Sequence, residues 1–276
     1  MKRSPFVFAL TLAFAGASAS AADFAADLAK AKSLFAARGQ SLASVQEAAT
    51  LLDSIVNSAP NATAKFEAQI LASRAYYWIG GHVTEKAQKL SSYLAGKKRG
   101  DDARATNSEC AEGYYYAAIN LGKWGLTNGI FDSLKESGNL EALAKEAKEY
   151  DTCLGDSAGS PGESIDGYGP DRTLGKMYFK LPPVNPYGPT GSRTQALFSL
   201  ERAVKNANTP STRVALNTVY LAEVLKAGSS AEKARGKQLL VDLISTVERD
   251  PSAFNPNRIP ESMDEIAEAK DLLKDF

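Results

Sequence analysis

The segment SLASVQEAATLLDSIVNSAP, residues 41–60, shows the pattern that recurs along the whole chain. Its apolar residues are spaced by three or four positions, which places them on one face of an α-helix. This apolar stripe consists of Val45, Ala48, Leu52 and Ile55. Proline cannot continue a helix, so Pro60 marks the end of this one. The segment therefore predicts an amphipathic helix over residues 41–58.

The same spacing recurs on both sides of this segment, and strand signals are nearly absent. Further helices are predicted at 23–37, 63–79, 84–94, 108–124, 129–136, 140–150, 171–180, 193–207, 211–226, 231–248 and 262–273. Two stretches rich in glycine and proline, 155–170 and 181–192, are predicted to be irregular and to lie on the outside of the molecule. The predicted fold is all-α, with residues 22–276 in a single domain.

A weak internal repeat groups these helices into pairs. Superposing EKA at 85–87 on EKA at 232–234 also aligns small residues in the preceding helix and turn. The aligned residues are Ala75 with Ala222 and Gly81 with Gly228. Small residues that let antiparallel helices approach are typical of tetratricopeptide-like arrays, although an alanine-rich chain can also produce such matches by chance. We therefore expect antiparallel helix pairs in an α-solenoid or a compact helical superhelix.

The N-terminal residues have the features of a signal peptide. Lys2 and Arg3 precede an apolar run of about ten residues, which is too short to span a bilayer. Small residues follow with the A-x-A spacing of a cleavage site. We expect residues 1–21 to be removed by cleavage near residues 19–22. No cysteine lies at this junction, so the exported protein is expected to lack a lipid anchor, and no later segment is apolar enough to cross a membrane.

Charge and cysteine content narrow the class of protein. The 32 lysine and arginine residues balance the 32 aspartate and glutamate residues. A net charge of zero argues against a protein that binds nucleic acid. The two cysteines, Cys110 and Cys153, form an even pair that an exported protein can join in a disulfide. Whether they do so stays open, because the sequence does not show how far apart their Cβ atoms lie.

The chain offers little catalytic or metal-binding chemistry. Its one histidine, His82, excludes any multi-histidine metal site, and neither a G-x-S-x-G motif nor a thioredoxin motif is present. We therefore expect no enzymatic activity, no metal and no cofactor. His82 follows two glycines and is predicted to be an exposed turn residue. The alternatives are a pH-sensitive contact or the base of an unrecognised hydrolase.

The segment AEGYYYAAINLGKWG, residues 111–125, concentrates aromatic and polar residues. On a helical wheel one face carries Tyr116, Asn120, Lys123 and Trp124, and Tyr115 belongs to the adjacent stripe. Core packing would explain the rings. An unpaired ammonium group is costly to bury, however, so Lys123 indicates that this face meets a groove or cavity in which a ligand can bind. Both explanations stay open at the level of sequence.

Four segments together resemble a known family. They are GYYYAAINLGKWG at 113–125, GPDRTLGKMYFKLP at 169–182, GSRTQALFSLERAVKNA at 191–207 and YLAEVL at 220–225. In this order they are similar to the T-component proteins associated with bacterial TRAP transporters. The resemblance extends over residues 63–247.

The resemblance implies a tetratricopeptide-like fold with a helix-lined cavity, and a location in the periplasm. It also implies that the protein works beside the periplasmic solute-binding protein of a TRAP transporter and holds or passes a small hydrophobic or carboxylate ligand. Positions that match the family pattern are Tyr115, Asn120, Trp124, Arg172, Gly175, Tyr178, Leu181, Pro182, Leu200, Glu201 and Ala203. Of these, Gly175 and Ala203 are expected to serve helix packing.

Arg172 has two interpretations. It stands at the start of a short predicted helix, directly after the long loop. A guanidinium group offers a planar fork to a carboxylate ligand, but it can also tie the loop to neighbouring carbonyl groups. Under the first interpretation, Arg172 and Trp124 approach one cavity that Tyr115 or Tyr116 also lines. The candidate binding residues are Tyr115, Tyr116, Asn120, Lys123, Trp124, Arg172 and Tyr178.

A second class of function is also consistent with the sequence. The chain would then be a structural tetratricopeptide-like scaffold of the cell envelope and would hold no ligand. A homo-oligomer is compatible with either class, and the sequence does not specify the surface that docks a partner.

Overall fold

The computed structural model describes the backbone of residues 12–276. Residues 1–11 of the predicted signal peptide lie outside the described residues, and the predicted cleavage region near residues 19–22 falls within the first helix. Eleven α-helices form in the described part of the chain. They are α1 Leu12–Ala36, α2 Leu42–Ile55, α3 Ala62–His82, α4 Lys86–Thr106, α5 Ala111–Asn128, α6 Ile130–Glu146, α7 Ile165–Lys180, α8 Arg193–Asn206, α9 Ala215–Lys226, α10 Ser230–Arg249 and α11 Ile259–Leu273.

The prediction of an all-α fold is confirmed, since residues 12–276 contain short 3-10 helices between the α-helices but no β-strand. The 3-10 helices span Ala37–Gly39, Val56–Ser58, Gly155–Ser157, Gly162–Ser164, Pro251–Ala253 and Pro256–Arg258. No helix within the described residues is long and apolar enough to cross a membrane.

Several helices begin where a polar side chain caps free backbone N–H groups. The Ser41 side chain accepts a hydrogen bond from Ser44 N at the start of α2, and Asn61 accepts one from Ala64 N at the start of α3. Ser229 and Glu232 form a reciprocal capping box at the start of α10. These caps follow from local sequence and explain why the starts of these helices were predicted within a few residues.

Two helices are longer than predicted, and both contain glycines. α3 passes Gly80 and Gly81, and α4 extends to Thr106 although its predicted end was residue 94. A Cβ atom on Gly100 of α4 would lie 2.6 Å from the backbone nitrogen of Ala117 on α5. Glycine is thus present on α4 for close helix packing and not for a turn. Helix α6 is also one helix where two, 129–136 and 140–150, were predicted.

Consecutive helices pack as antiparallel neighbours and build two layers. Helices α3, α5, α7 and α9 also contact one another in turn, and α11 packs against α9. These odd-numbered helices therefore form an inner layer, as in tetratricopeptide-like arrays, in which a helix pair is the repeating unit. The buried apolar residues form one large cluster over α5–α11, a second over α1–α3 and a small third one around Phe66 and Ala103, between α3 and α4.

Helix α11 connects the two ends of the array. Arg38, directly after α1, donates hydrogen bonds to both carboxylate oxygens of Glu261 on α11, at 2.8 and 2.9 Å, and to the backbone oxygen of Asn257 at 2.5 Å. Gly39 lies so close to Pro260 that a Cβ atom there would be 2.9 Å from the proline ring. Because α11 also packs against α9 and α10, it closes the superhelix around an internal cavity.

The loop at 155–170 differs from its prediction in its second half. Residues 165, 167, 169 and 170 are buried, so this half does not lie on the outside. Asp166, Gly167 and Tyr168 adopt left-handed backbone angles, with φ of 51°, 63° and 63°. This turn inserts the backbone between α5 and the segment before α9, since a Cβ atom on Gly169 would collide with the Tyr115 ring. The second predicted loop, 181–192, is mostly exposed but is fastened to α6 by Asn185, which donates to Ser137 Oγ at 2.9 Å.

Cys110 and Cys153 form a disulfide, with their Cα atoms 5.6 Å apart. The bond links the start of α5 to the segment that leads into the 155–170 loop. Glu112, in the first turn of α5, accepts hydrogen bonds from the backbone nitrogens of Cys153 and Leu154 at 2.7 and 2.9 Å. The pairing that the sequence left open is thus part of the junction that positions the loop.

Candidate functional site

A cavity of about 670 Å³ lies between the inner helices and α11. Its volume is in the range of natural sites for small ligands, about 300 to 1,000 Å³. Gly81 and Leu126 line the cavity and are themselves exposed, so it reaches the surface beside them. The site is therefore internal but accessible.

Aromatic side chains form much of the cavity wall. They are Phe35, Tyr77, Trp78, Tyr93, Tyr115, Tyr116 and Tyr220. Burial raises the pKa of Tyr93 to about 12, so its ring is neutral at physiological pH. Aliphatic residues of α5, α6 and α7, among them Ile119, Leu140 and Met177, complete the apolar surface. Such a wall favours a ligand with an apolar or ring-containing body.

A buried network of charges forms one side of the cavity, with Asp166 at its centre. Asp166 Oδ2 accepts hydrogen bonds from the Tyr115 hydroxyl and from Arg172 Nη2, both at 2.5 Å. Its other oxygen, Oδ1, accepts one from Arg258. Arg258 also donates to Glu265 Oε1 at 2.6 Å. Two guanidinium groups thus face two carboxylates, and the network is close to neutral.

The network perturbs the titration of its members. Burial alone would raise the pKa of Asp166, but the charges of Arg258 and Arg172 and the Tyr115 hydrogen bond hold this pKa below its ordinary value. Burial raises the pKa of Glu265 and is only partly offset by Arg258 and Arg172. Burial also raises the pKa of Tyr115 well above its ordinary value. Tyr115 is therefore a neutral hydrogen-bond donor to an ionised Asp166.

Arg172 is engaged on several sides by this network. Its Nη1 donates to Asn217 Oδ1 at 2.8 Å and to the backbone oxygen of Asp166 at 3.1 Å. Its Nη2 donates to the Tyr115 hydroxyl at 2.8 Å as well as to Asp166. The side chain lines the cavity, but its hydrogen-bond donors are occupied by acceptors of the protein itself. The structure therefore favours the interpretation in which Arg172 ties the loop in place.

Two other cations on the cavity wall have no such partners. The Arg74 guanidinium lies over the rings of Phe35 and Tyr116, at 5.1 and 5.8 Å from their centroids, and Lys123 Nζ lies 6.0 Å from the centre of the Tyr77 ring. Neither side chain makes an ion pair or a hydrogen bond with any other residue that the structure describes. Tyr77 and Tyr220 chiefly raise the pKa of Lys123, which keeps its positive charge.

The predicted site residues divide into two groups. Tyr115, Tyr116, Lys123 and Arg172 line the cavity, whereas Asn120, Trp124 and Tyr178 do not. The expectation that Trp124 and Arg172 approach the same cavity is therefore wrong. Trp124 is partly buried against the apolar cluster of α5–α11. The helical wheel gave its angle around α5 but could not show that α5 has packed neighbours on several sides.

Asn120 and Tyr178 have structural roles on the far sides of their helices. Asn120 is fully buried and donates to Ser73 Oγ at 3.2 Å and to the backbone oxygen of Tyr116 at 2.9 Å, which joins α5 to α3. Tyr178 donates from its hydroxyl to Glu141 on α6 at 2.5 Å. Its neighbour Met177 lines the cavity instead.

His82 is exposed as expected, but it belongs to a helix and not to a turn. It is the last residue of α3, lines the cavity, and stacks on Trp78 with 3.9 Å between ring centroids. Its Nε2 lies 3.1 Å from Asp264 on α11, and its Nδ1 lies 2.8 Å from the backbone oxygen of Trp78. Among the described residues these are its only hydrogen-bond partners. His82 therefore helps α11 to close the array.

Four residues of the cavity wall were not predicted from sequence, namely Arg74, Asp166, Arg258 and Glu265. A signal for Arg74 was present, because it precedes Tyr77 by three residues and Trp78 by four and so shares their helical face. Asp166 stands in the segment IDGYGP, which indicated a turn but not its partners. Arg258 and Glu265 reach the site only because α11 folds back, which periodicity does not reveal.

A scan of the sequence against models of protein families finds no match, and a search among curated proteins finds none either. The resemblance to T-component proteins therefore rests on the four segments quoted above. Three of these segments, 113–125, 169–182 and 220–225, supply cavity-lining residues from α5, α7 and α9.

Proposed function

We propose that this protein is a non-enzymatic, exported helical-repeat protein that holds a small organic ligand in its internal cavity. Like the T-component proteins that it resembles, it would act beside the periplasmic solute-binding protein of a TRAP-type transporter. The observation that carries the proposal is the cavity of about 670 Å³, with its aromatic wall and its accessible mouth.

A cavity of this size disfavours the structural scaffold as an alternative. Protein interiors are close-packed, and each void forfeits contacts and lowers stability. Seven aromatic side chains surround space that they do not fill. The Asp166 network at the same time fixes one wall by hydrogen bonds between residues distant in sequence. A preformed apolar site with a few fixed polar groups is typical of ligand binding.

Exposed apolar side chains near the mouth of the cavity support the proposed binding of a partner protein. Leu126, which lines the cavity, is 54% exposed, and Phe131 at the start of α6 is 77% exposed. Apolar residues grouped on a surface are typical of contacts with other proteins. A solute-binding protein docked there would face the opening through which a ligand enters or leaves.

The proposal is tested by native mass spectrometry of the protein purified from its own periplasm. Gly122 lines the cavity, and a Cβ atom there would meet only the Leu140 side chain, at 3.7 Å. We therefore expect Gly122→Phe to fold while its ring occupies part of the cavity and obstructs ligand binding, with Gly122→Ala as the matched control. The wild type and Gly122→Ala should retain a small molecule, and Gly122→Phe should lose it. A wild-type protein that carries no ligand and binds none when ligands from a periplasmic extract are offered would support the scaffold instead.

A further inference from the structure

The charges on the cavity wall narrow the chemistry of the ligand. Six cationic side chains line the cavity, namely Arg74, Lys123, Arg172, Lys176, Lys180 and Arg258. Arg172 and Arg258 are neutralised by the Asp166 network, and Lys176 and Lys180 both pair with Glu223. Arg74 and Lys123 alone among these six have no carboxylate partner within the described residues.

No acidic residue of the wall forms an ion pair with either of these two cations. Asp166 and Glu265 belong to the network, Glu261 pairs with Arg38, and Asp264 faces His82. The two remaining carboxylates are those of Glu136 and Glu268. Neither forms an ion pair with a described residue, and Glu268 is exposed on α11. Glu268 raises the pKa of Lys123 only through a longer-range interaction, so α3 and α5 present two cations with no directly bonded carboxylate.

The positions of Arg74 and Lys123 make this charge costly without a ligand. Both side chains are half-buried among aromatic rings, where water is restricted. A charge that loses water without gaining a partner destabilises the folded state. Stacking on aromatic faces orients the Arg74 guanidinium but leaves its N–H donors free, because the rings accept the cation through their faces. An anion that enters the cavity would satisfy these donors.

Arg74 and Lys123 line the same cavity from two adjacent helices. Helices α3 and α5 run side by side, with Asn120 bonded to Ser73 and Lys123 facing Tyr77. Arg74 precedes Tyr77 by three residues, so the two cations are offset by about 5 Å along the helices. The axes of packed helices are also about 8–10 Å apart, and the long, flexible side chains of Arg74 and Lys123 span this gap from both sides by reaching into the shared cavity. A carboxylate or sulfonate group can therefore contact both.

We propose that Arg74 and Lys123 together bind the anionic group of the ligand, which is an organic carboxylate or sulfonate with an apolar, ring-containing body. The body lies along the rings of Tyr77, Tyr116 and Tyr220. This inference rests on the proposed function, since it names the class of ligand for the same cavity. Arg172, for which the sequence left an anchoring role open, only shapes the wall.

The test compares two fluorescent probes that differ by one charge. Anilinonaphthalene sulfonate carries a sulfonate on the phenylnaphthylamine framework, and phenylnaphthylamine itself is neutral. We expect the wild type to bind both probes. Arg74→Gln and Lys123→Gln should each lower the affinity for the sulfonate probe about tenfold, as for a lost charged hydrogen bond. Binding of the neutral probe should change less than twofold, on the order of ordinary surface effects. Arg74→Lys should retain most of the sulfonate affinity.

A surface variant controls for the change in net charge. Lys237 on α10 is exposed and makes no ion pair with a described residue, so Lys237→Gln should leave both probes unaffected. Melting temperatures establish that each variant is folded, and Lys123→Gln keeps the test valid where Arg74→Gln unfolds. Raising the ionic strength should lower the affinity for the sulfonate probe more in the wild type than in a variant that carries both Arg74→Gln and Lys123→Gln.

The outcomes separate the two proposals. Suppose that Gly122→Phe abolishes binding of both probes but neither glutamine variant lowers the affinity for the sulfonate probe. The cavity then binds ligands, and the proposed role of Arg74 and Lys123 in binding the anionic group is wrong. If the wild type binds neither probe, or if Gly122→Phe leaves both unchanged, the proposed function fails and the anchor fails with it.

Discussion

Asp166 is the residue on which the charged wall of the cavity depends, because its carboxylate is shared by Tyr115, Arg172 and Arg258. Asp166→Asn leaves two buried guanidinium groups without this partner. We expect it to lower the free energy of unfolding by about 3–5 kcal/mol, as for a broken buried ion pair. Urea denaturation measures the loss, and Asp242→Asn on the exposed face of α10 is the matched control. A loss as small as that of the control would contradict the central role of Asp166.

Acid should remove the same contribution in the wild type. The folded-state pKa of Asp166 is lowered, so its stabilisation is fully present above the unfolded carboxyl pKa of about 3.9 and is lost as pH falls through the folded value. Glu265 acts in the opposite direction, because burial raises its pKa. The stability difference between the wild type and Asp166→Asn should therefore shrink steadily as the pH is lowered below about 4. A difference that stays constant down to the acid transition would exclude this linkage.

The sequence identified part of the site at this scale. A charged lysine among aromatic residues correctly indicated a cavity beside Lys123, because burying an unpaired ammonium is costly. Trp124, on the same face by the helical wheel, instead packs against the core. Arg74 was not predicted because it is distinguished by the lack of a carboxylate partner. Only the structure shows which cations of the cavity wall are paired and which are not.

The close contact of α4 with α5 distinguishes a glycine that is required for helix packing from a glycine that has open space around it. Gly100→Ala would press a methyl group onto the backbone of α5, and we expect it to destabilise the protein by about 1–3 kcal/mol. Gly81→Ala has open space around its Cβ and should be neutral or stabilising by up to about 1 kcal/mol, since alanine favours the helix. Thermal unfolding of both variants tests this order. The reverse order would show that α4 and α5 lie farther apart.

The disulfide joins two elements, α5 and the segment before the 155–170 loop. The two cysteines are 43 residues apart, and in the chain-entropy model closing such a loop stabilises by up to about 4 kcal/mol. Reductant should lower the melting temperature of the wild type and leave that of a Cys110→Ala/Cys153→Ala variant unchanged. Equal melting temperatures of the reduced and oxidised wild type would mean that the bond contributes nothing to stability.

Elements were easier to predict than their limits. Apolar spacing and capping residues indicated most of the helices, because both are local properties. The glycines of α3 did not end that helix, and α4 continues past its predicted end through Gly96 and Gly100, which serve close packing. The left-handed turn at 166–168 could not be foreseen either, since two of its three residues are not glycine and are held by their buried surroundings.

The whole molecule is an all-α array closed by its last helix. The repeat pattern predicted antiparallel pairs but not closure. Closure depends on the accumulated curvature of the array, which brings Glu261 to Arg38 across 223 residues of chain. It also brings Arg258 and Glu265 into the cavity wall, so the charged network exists only in the closed form. The closed fold and the charged wall of the cavity therefore form together.

The measurement that tests ligand binding in the cavity most directly is a crystal structure of the protein purified from its own periplasm without refolding. We predict electron density for an organic molecule between the rings of Tyr77 and Tyr116. Its anionic group should lie within hydrogen-bonding distance, about 2.7–3.2 Å, of Arg74 or Lys123. A ligand found elsewhere on the molecule, or a cavity that holds only water, would contradict the assignment of this cavity as the binding site.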